Sequence, residues 1–285
     1  ADVVVLGREM NLGRVTEISS QIKEQQVKGP SGELVRLEMF AHGALCMAIS
    51  GKCYLSLHEM NSSANRGSCL QTCRRAYTVT DKETGAELEI ENEYIMSPRD
   101  LKTIHFLNKV LDAGVSVLKI EGRARSPEYV KTTVACYREA VEAYFDGTFT
   151  DEKIENWNTR LSSVFNRGFW DGYYLGQRLG EWSANYGSQA TKRKMYIGKC
   201  TNFFKKINVA EFKLETGNLK TGDEIIITGP TSGVVEANVE EIRYDLKPVE
   251  EGFKGQFISV PVDKLIRRAD KLFKLVDARQ VKQRQ

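Results

Sequence analysis

The order of strand and helix patterns over residues 1–147 constrains the fold of this chain more than any other feature. Short apolar runs typical of buried strands occur at 3–7, 33–43, 91–101 and 115–123, and amphipathic stretches of helical spacing follow three of them. Strands that alternate with helices form a parallel sheet, and four such units make half of an eight-stranded barrel. The sequence therefore predicts an α/β fold in which residues 1–147 form the carboxy-terminal half of a (β/α)8 TIM-like barrel.

A half barrel leaves sheet edges and apolar faces uncovered. The chain begins at Ala1 and enters a strand pattern at once, in "ADVVVLG". On the size of a barrel of about 250 residues, we expect roughly 100 or more residues upstream. That missing amino-terminal half barrel is the first partner that the sequence implies, and the oligomeric state is left open.

The pattern changes in the last third of the chain. From about residue 195 only short strand patterns occur, separated by turns that contain Gly, Asn or Pro. We expect a small all-β barrel domain at 195–285, with a basic tail, and a connecting helical or loop segment at 148–194. The tail from Lys264 to Gln285 holds eight Lys and Arg against two Asp.

Composition limits the class of protein. The chain has 41% hydrophobic and 28% charged residues, the balance of a globular protein. No apolar run approaches the ~20 residues of a membrane span, and no charged-then-apolar leader opens the chain. We therefore expect a cytoplasmic protein without a membrane partner. A net charge of +3 does not by itself predict a nucleic-acid partner.

Four cysteines, Cys46, Cys53, Cys69 and Cys73, lie within 28 residues in the spacing C-x6-C-x15-C-x3-C. Four thiolates are the ligand set of a cubane iron–sulfur cluster or of structural zinc. Zinc sites usually present paired C-x2-4-C knuckles, so the irregular spacing favours iron–sulfur; zinc and unligated core cysteines are the alternatives. Cys136 and Cys200 lie among apolar neighbours and are predicted to be small core residues.

All four cysteines follow directly after the strand at 33–43, and barrels present functional residues at the carboxyl ends of their strands. The same face is expected to receive His42, Arg99, Glu121 and Arg123. Of these, His42, Glu121 and Arg123 are candidate catalytic residues, with loop capping by His42 as the alternative.

Three arginines are candidate substrate-binding residues, because guanidinium groups suit an anionic substrate or a phosphate backbone: Arg66, Arg74 and Arg99. Strand alternation also places Glu38 with Phe40, and Lys119 with Glu121. For Glu38 and Lys119, ion pairing inside the barrel and substrate binding are both open.

The stretch "EMFAHGALCMAISGKCYLS" at 38–56 resembles the signature of the collagenase-like peptidase family, E-x-F-x2-G-[SA]-x-C-x4-G-x-C-x-x-S, at every fixed position. The segments "NRGSCLQTCR", "SPRDL", "LKIEGRARSPEYV" and "FNRGFWDGYYLG" extend the resemblance over essentially the whole chain. The last segment, with a β domain behind it, is most similar to the branch of tRNA 5-hydroxyuridine (wobble) hydroxylation proteins.

The resemblance implies a [4Fe-4S] cluster on Cys46, Cys53, Cys69 and Cys73, tRNA as partner and prephenate as possible co-substrate. It implies an enzyme required for hydroxylation of carbon 5 of the wobble uridine. The family name also suggests a peptidase, yet the sequence contains neither H-E-x-x-H nor G-x-S-x-G. A non-enzymatic RNA-binding module with a structural metal is the third hypothesis.

Overall fold

The computed structural model describes residues 1–46, 48, 52–62, 67–75, 77–90, 98–123, 125–177, 181 and 187–279, with the backbone alone at 60, 74 and 88–90. The chain divides into two compact units. The first comprises 1–124 and 132–189, and the second comprises 125–131 and 190–285. The boundary at 189 and 190 falls within the segment 148–194 that the sequence predicts to be a connection.

The first unit mixes strands and helices. In chain order its elements are β1 (Val3–Val5), α1 (Leu12–Glu24), β2 (Arg36–Gly43), α2 (Tyr54–Met60), β3 (Tyr77–Thr80), β4 (Glu87–Ile90), β5 (Asp100–Lys102), α3 (Leu107–Asp112), β6 (Val115–Ile120), α4 (Pro127–Phe145), α5 (Asp151–Ser163) and β7 (Phe169–Trp170). Short 3-10 helices cover Thr72–Arg74 and Ile104–Phe106. The predicted α/β class is confirmed.

Strand β2 is the centre of the first sheet. It pairs in parallel with β1, from Val3 opposite Arg36, and in parallel with β6, from Leu37 opposite Val115 to His42 opposite Ile120. Strand β6 is therefore a direct neighbour of β2 in the sheet. The described parallel sheet therefore has the order β1, β2, β6.

The expected third barrel strand, 91–101, is only partly accounted for. Residues 91–97 lie outside the described residues, and β5 pairs antiparallel with the end of β2, with His42 opposite Lys102. Strand β5 then pairs in parallel with β7. The described part of this segment is thus not a third parallel strand next to β2, because β6 occupies that place, and the half barrel stays a prediction.

Local signals explain the helices of the first unit. The Asn11 side chain accepts a hydrogen bond from Arg14 N at 3.0 Å, which caps the start of α1. Gly114 follows α3 with a φ of 92°, and a Cβ there would meet Ser19 Oγ at 2.0 Å, so only glycine fits. Asparagine at a helix start and glycine just after a helix end are signals that the sequence itself carries.

The core of the first unit lies between the sheet and the helices. On β2 the alternate residues Leu37, Met39 and Ala41 are buried, and they join Val15 of α1 and Tyr137 of α4 in one cluster. Helix α5 adds Trp157 and Leu161 to the same cluster.

Among the described residues, no helix is both long and apolar enough to cross a membrane.

The second unit is built of strands, as predicted. They are β8 (Lys192–Phe204), β9 (Val209–Leu214), β10 (Asn218–Lys220), β11 (Glu224–Gly229), β12 (Gly233–Asn238), β13 (Ile242–Tyr244), β14 (Lys247–Val249), β15 (Glu251–Phe253), β16 (Phe257–Pro261) and β17 (Lys271–Asp277). Eight of them form an antiparallel sheet in the order β12-β11-β17-β8-β9-β16-β13-β14, and β10 pairs with β15. A separate core, with Phe212 and Ile258 fully buried, fills this unit.

Candidate functional site

The four clustered cysteines lie on the excursion between β2 and β5. Cys46 is exposed just after β2, and Cys53, Cys69 and Cys73 are half-buried, with Cys53 at the start of α2 and Cys73 in the 3-10 helix Thr72–Arg74. In the part of the chain that the structure describes, none of the four is in a disulfide. Cys53 Sγ donates a hydrogen bond to Ser56 Oγ at 3.5 Å.

The donor set fits a metal or iron–sulfur group better than it fits a disulfide scaffold. Four cysteine thiols on one irregular excursion are the ligand chemistry that such groups require. Within the described ranges, however, no three or more His, Cys, Asp or Glu side chains are gathered closely enough to hold a metal ion. The ligand assignment to Cys46, Cys53, Cys69 and Cys73 therefore stays a prediction.

The end of β6 contacts the cysteine excursion. Glu121 N donates to His42 O at 2.8 Å, and Arg123 N donates to Glu121 Oε1 at 2.8 Å. From there the exposed Arg123 reaches across, and its Nη1 donates to Gly67 O at 3.5 Å, two residues before Cys69. The carboxyl ends of β2 and β6 and the cysteine excursion thus meet at one place, while the function of this face stays a prediction.

His42 lies beneath this face and not on it. It is 1% exposed, and its ring packs against Tyr137 and Phe169 with centroid distances of 5.5 and 5.6 Å. Tyr137 Oη lies 3.4 Å from His42 Nδ1 and donates to Ala41 O at 2.8 Å. These contacts hold the end of β2 against α4. A catalytic role for His42 stays a prediction.

The three candidate arginines differ in what the structure describes. Arg99 pairs with Glu181 through Nη1 and Oε2 at 2.6 Å, and Arg99 N donates to Glu181 O. Arg74 is described by its backbone alone, in the short 3-10 helix. Arg66 lies outside the described residues. Substrate binding by these three residues therefore stays a prediction.

A cationic face on β2 and β6 includes one residue that sequence reasoning missed. Lys119 Nζ lies 2.8 Å from Glu38 Oε1, which is the ion-pairing alternative of the two left open, and it also lies 5.2 Å from the Phe40 ring centroid. The guanidinium carbon of Arg8 lies 4.3 Å from the same ring. Arg8 follows strand β1 at its carboxyl end, and that position was the signal that could have identified it.

His105 also has a partner that the sequence did not predict. Its Nε2 lies 2.9 Å from Asp171 Oδ1, beside Lys102. Burial lowers the pKa of His105, and the Asp171 carboxylate opposes that shift. Burial likewise lowers the pKa of Lys102. Asp171 is 66 residues away in sequence, which is why the pair escapes local pattern analysis.

These features define a two-unit protein, α/β then all-β, with four clustered cysteines on an excursion from the carboxyl end of a parallel strand. The chain belongs to peptidase family U32, whose family model matches residues 1–184.

The curated relatives carry two kinds of name. A protein named collagenase from Porphyromonas gingivalis is 63% identical over 274 residues, which are 96% of this chain and 66% of that protein. The tRNA hydroxylation protein P1 of Bacillus subtilis is 31% identical over 80% of this chain and 52% of its own length. A 23S rRNA 5-hydroxycytidine synthase of Escherichia coli is 33% identical over 62% of this chain and 26% of its own length. The chain thus spans about two thirds of the first relative and about half of the second.

Proposed function

We propose that this chain is the cofactor-bearing part of an enzyme that hydroxylates carbon 5 of the wobble uridine in tRNA. Relatives named for tRNA and rRNA hydroxylation support this class of reaction. The observation that carries the proposal is the contact between the charged end of β6 and the cysteine excursion, a hydrogen bond from Arg123 Nη1 to Gly67 O, two residues before Cys69.

In this proposal Cys46, Cys53, Cys69 and Cys73 hold a [4Fe-4S] cluster. When bound, such a cluster supplies one-electron chemistry. Arg123 and Arg99 attract the phosphates that flank the target base, because guanidinium groups bind phosphate in a bidentate way. The base itself must leave its stack before any group can reach carbon 5.

The cationic face of Arg8, Phe40 and Lys119 suits the second substrate of this proposal. Prephenate is a dicarboxylate, and the two cations at the Phe40 ring provide opposite charge for its carboxylates. Glu38 holds Lys119 in position through their ion pair. Arg8→Gln is expected to raise the prephenate concentration needed for half-maximal reaction, while leaving the iron content unchanged.

The test measures 5-hydroxyuridine in tRNA from a strain that lacks the native gene and carries the parent or a variant. Cys53→Ala is expected to abolish the modification without loss of folded protein. Cys200→Ala, which removes a thiol from the second unit, is the matched control and is expected to keep it. Normal 5-hydroxyuridine with Cys53→Ala would overturn the proposal.

A peptidase is the second candidate, and the name of the relative that is 63% identical favours it. Incubation of the purified chain with denatured collagen distinguishes the two functions. We expect no cleavage above that of the Cys53→Ala variant. Peptide release that depends on this chain, in a preparation that leaves tRNA unmodified, would replace the proposal with peptidase activity.

A further inference from the structure

Three lysines stand directly opposite one another on consecutive strands of the second unit. Lys271 of β17 pairs with Lys199 of β8, and Lys199 pairs with Lys213 of β9. Lys213 in turn lies opposite Phe257 of β16. We refer to Lys199, Lys213 and Lys271 as the lysine row. It crosses the middle of the eight-stranded sheet and ends on an aromatic ring.

The lysine row is not explained by stability. Like charges directly opposite one another on antiparallel strands are destabilising. All three lysines are exposed. The repulsion is relieved in part by Glu215, whose Oε1 lies 2.8 Å from Lys199 Nζ, and by the Phe257 ring, 5.7 Å from Lys213 Nζ. An arrangement that opposes folding and faces solvent is typical of a surface that binds a ligand of opposite charge.

Exposed aromatic side chains border the same end of the row. Phe257 is 50% exposed and Phe253 is 54% exposed, on either side of a tight turn that carries Lys254. Lysines attract phosphate, and the aromatic rings beside them provide a flat surface on which bases stack. An acidic peptide would use the lysines but has no general need for the rings.

Further cations lie at the other end of the row. Ala269 N donates to Cys200 O at 2.9 Å, and Cys200 N donates to Asp270 O at 2.8 Å, which fixes the turn before Lys271 against β8. Arg267 and Arg268 of this turn are exposed. Positive charge therefore continues beyond Lys271 into the turn that precedes β17.

We infer that the lysine row and Phe257 form a binding surface for single-stranded RNA, with phosphates on the lysines and a base stacked on Phe257. Neighbouring strands are about 4.8 Å apart, so the row offers closely spaced cations to one backbone. The inference rests on the proposed function, and it names the unpaired loop of tRNA as the ligand of the second unit. Unpaired loops present the splayed bases that aromatic side chains recognise.

The first experiment compares two triple variants of the full chain with equal loss of charge. One carries Lys199→Gln, Lys213→Gln and Lys271→Gln; the control carries Lys192→Gln, Lys220→Gln and Lys247→Gln, all exposed positions of the same unit. Fluorescence anisotropy measures binding of a labelled anticodon stem-loop RNA over a range of salt. The row variant is expected to bind at least tenfold more weakly, and its slope of log affinity against log salt is expected to fall by about 2. The control is expected to keep the parent slope.

The second experiment tests the stacking contact. Phe257→Ala is expected to weaken RNA binding by about tenfold without changing the salt slope, because stacking contributes no charge. Phe257→Tyr keeps a ring and is expected to keep most of the affinity. This pair of variants leaves the lysines intact, so it remains decisive even if the triple variant does not fold.

Binding is measured without turnover, so this inference and the proposed function fail separately. Equal loss of affinity in both triple variants would overturn the lysine row, because it would show attraction by net charge alone. Unchanged affinity in the row variant, or displacement of the RNA by polyglutamate at equal charge, would also overturn it. Persistence of RNA binding in a chain that does not hydroxylate tRNA would overturn only the proposed function.

Discussion

Burial sets two of the six cysteines apart from the four in the excursion. Burial raises the pKa of both Cys136 and Cys200 to about 11, so very little of either thiol is ionised at neutral pH. We expect iodoacetamide at pH 8 to label Cys46, Cys53, Cys69 and Cys73 in reduced, metal-free protein and to leave Cys136 and Cys200 unlabelled. Peptide mass spectrometry measures the labelling. Equal labelling of all six cysteines would contradict the assignment of Cys136 and Cys200 to buried positions.

Tyr137 is the residue that ties α4 to the end of β2. Its hydroxyl donates to Ala41 O and accepts from Thr103 N at 3.0 Å, both buried. Thr103 N and Thr103 Oγ1 also donate to Ala41 O, at 3.2 and 3.0 Å, so Tyr137→Phe removes hydrogen bonds without stranding either backbone group. The variant is expected to lower the free energy of unfolding by about 0.5–1.5 kcal/mol. Denaturant unfolding followed by fluorescence of Trp157 and Trp170 reports on the first unit. Tyr144→Phe, whose hydroxyl bonds Asp112 at the surface, is the control and is expected to have a smaller effect.

At the residue scale, the sequence was sufficient for side chains whose environment is local. The clustering of the four cysteines is visible in the sequence motif, and the ends of β2 and β6 follow from the strand pattern. The burial of His42 does not, because strand alternation places it with the half-exposed Phe40. It is covered by Tyr137 and Phe169, which are 95 and 127 residues further along the chain.

Helices α4 and α5 are joined by one carboxylate. Arg160 donates to both oxygens of Glu139, at 2.5 and 2.9 Å, and Trp157 Nε1 donates to one of them. The Arg160 guanidinium holds the pKa of Glu139 below its ordinary value of 4.5, against an opposing effect of burial. A lowered pKa in the folded protein stabilises the fold above that ordinary value, and the stabilisation is lost as pH falls through the folded pKa.

Glu139→Gln is therefore expected to reduce stability at pH 7 by about 1 kcal/mol or less, since the pair is partly exposed. The difference from the parent should shrink as pH falls below 4.5. Denaturant unfolding at several pH values measures it. Glu142→Gln removes an exposed pair with Arg138 within α4 and serves as control. A difference that grows at acid pH would contradict the assigned direction.

At the element scale, helix starts were predictable and strand partners were not. Asn11 and Pro127 are residue types that favour helix starts, and they stand at the starts of α1 and α4. The pattern at 91–101 indicated a strand but carried no information on its direction. Strand β5 is antiparallel to β2 and parallel to β7, and the hydrophobic spacing of one segment specifies neither direction. Direction and order depend on contacts between distant segments.

At the scale of the whole molecule, the change from alternating to strand-only patterns predicted the all-β second unit. The predicted closure of that unit into a small barrel stays a prediction, because the described strand order has β12 and β14 as its two ends. The lysine row was likewise invisible in sequence, because Lys199, Lys213 and Lys271 are brought together only by the register of three strands.

The identity of the group held by the four cysteines decides between the proposed hydroxylation and its alternatives. The most direct measurement is the iron, acid-labile sulfide and zinc content of the full chain purified without oxygen, for the parent, Cys53→Ala and Cys200→Ala. We expect about four irons and four sulfides per chain in the parent and in Cys200→Ala, and their loss in Cys53→Ala. Zinc without iron, or iron that persists in Cys53→Ala, would contradict the account.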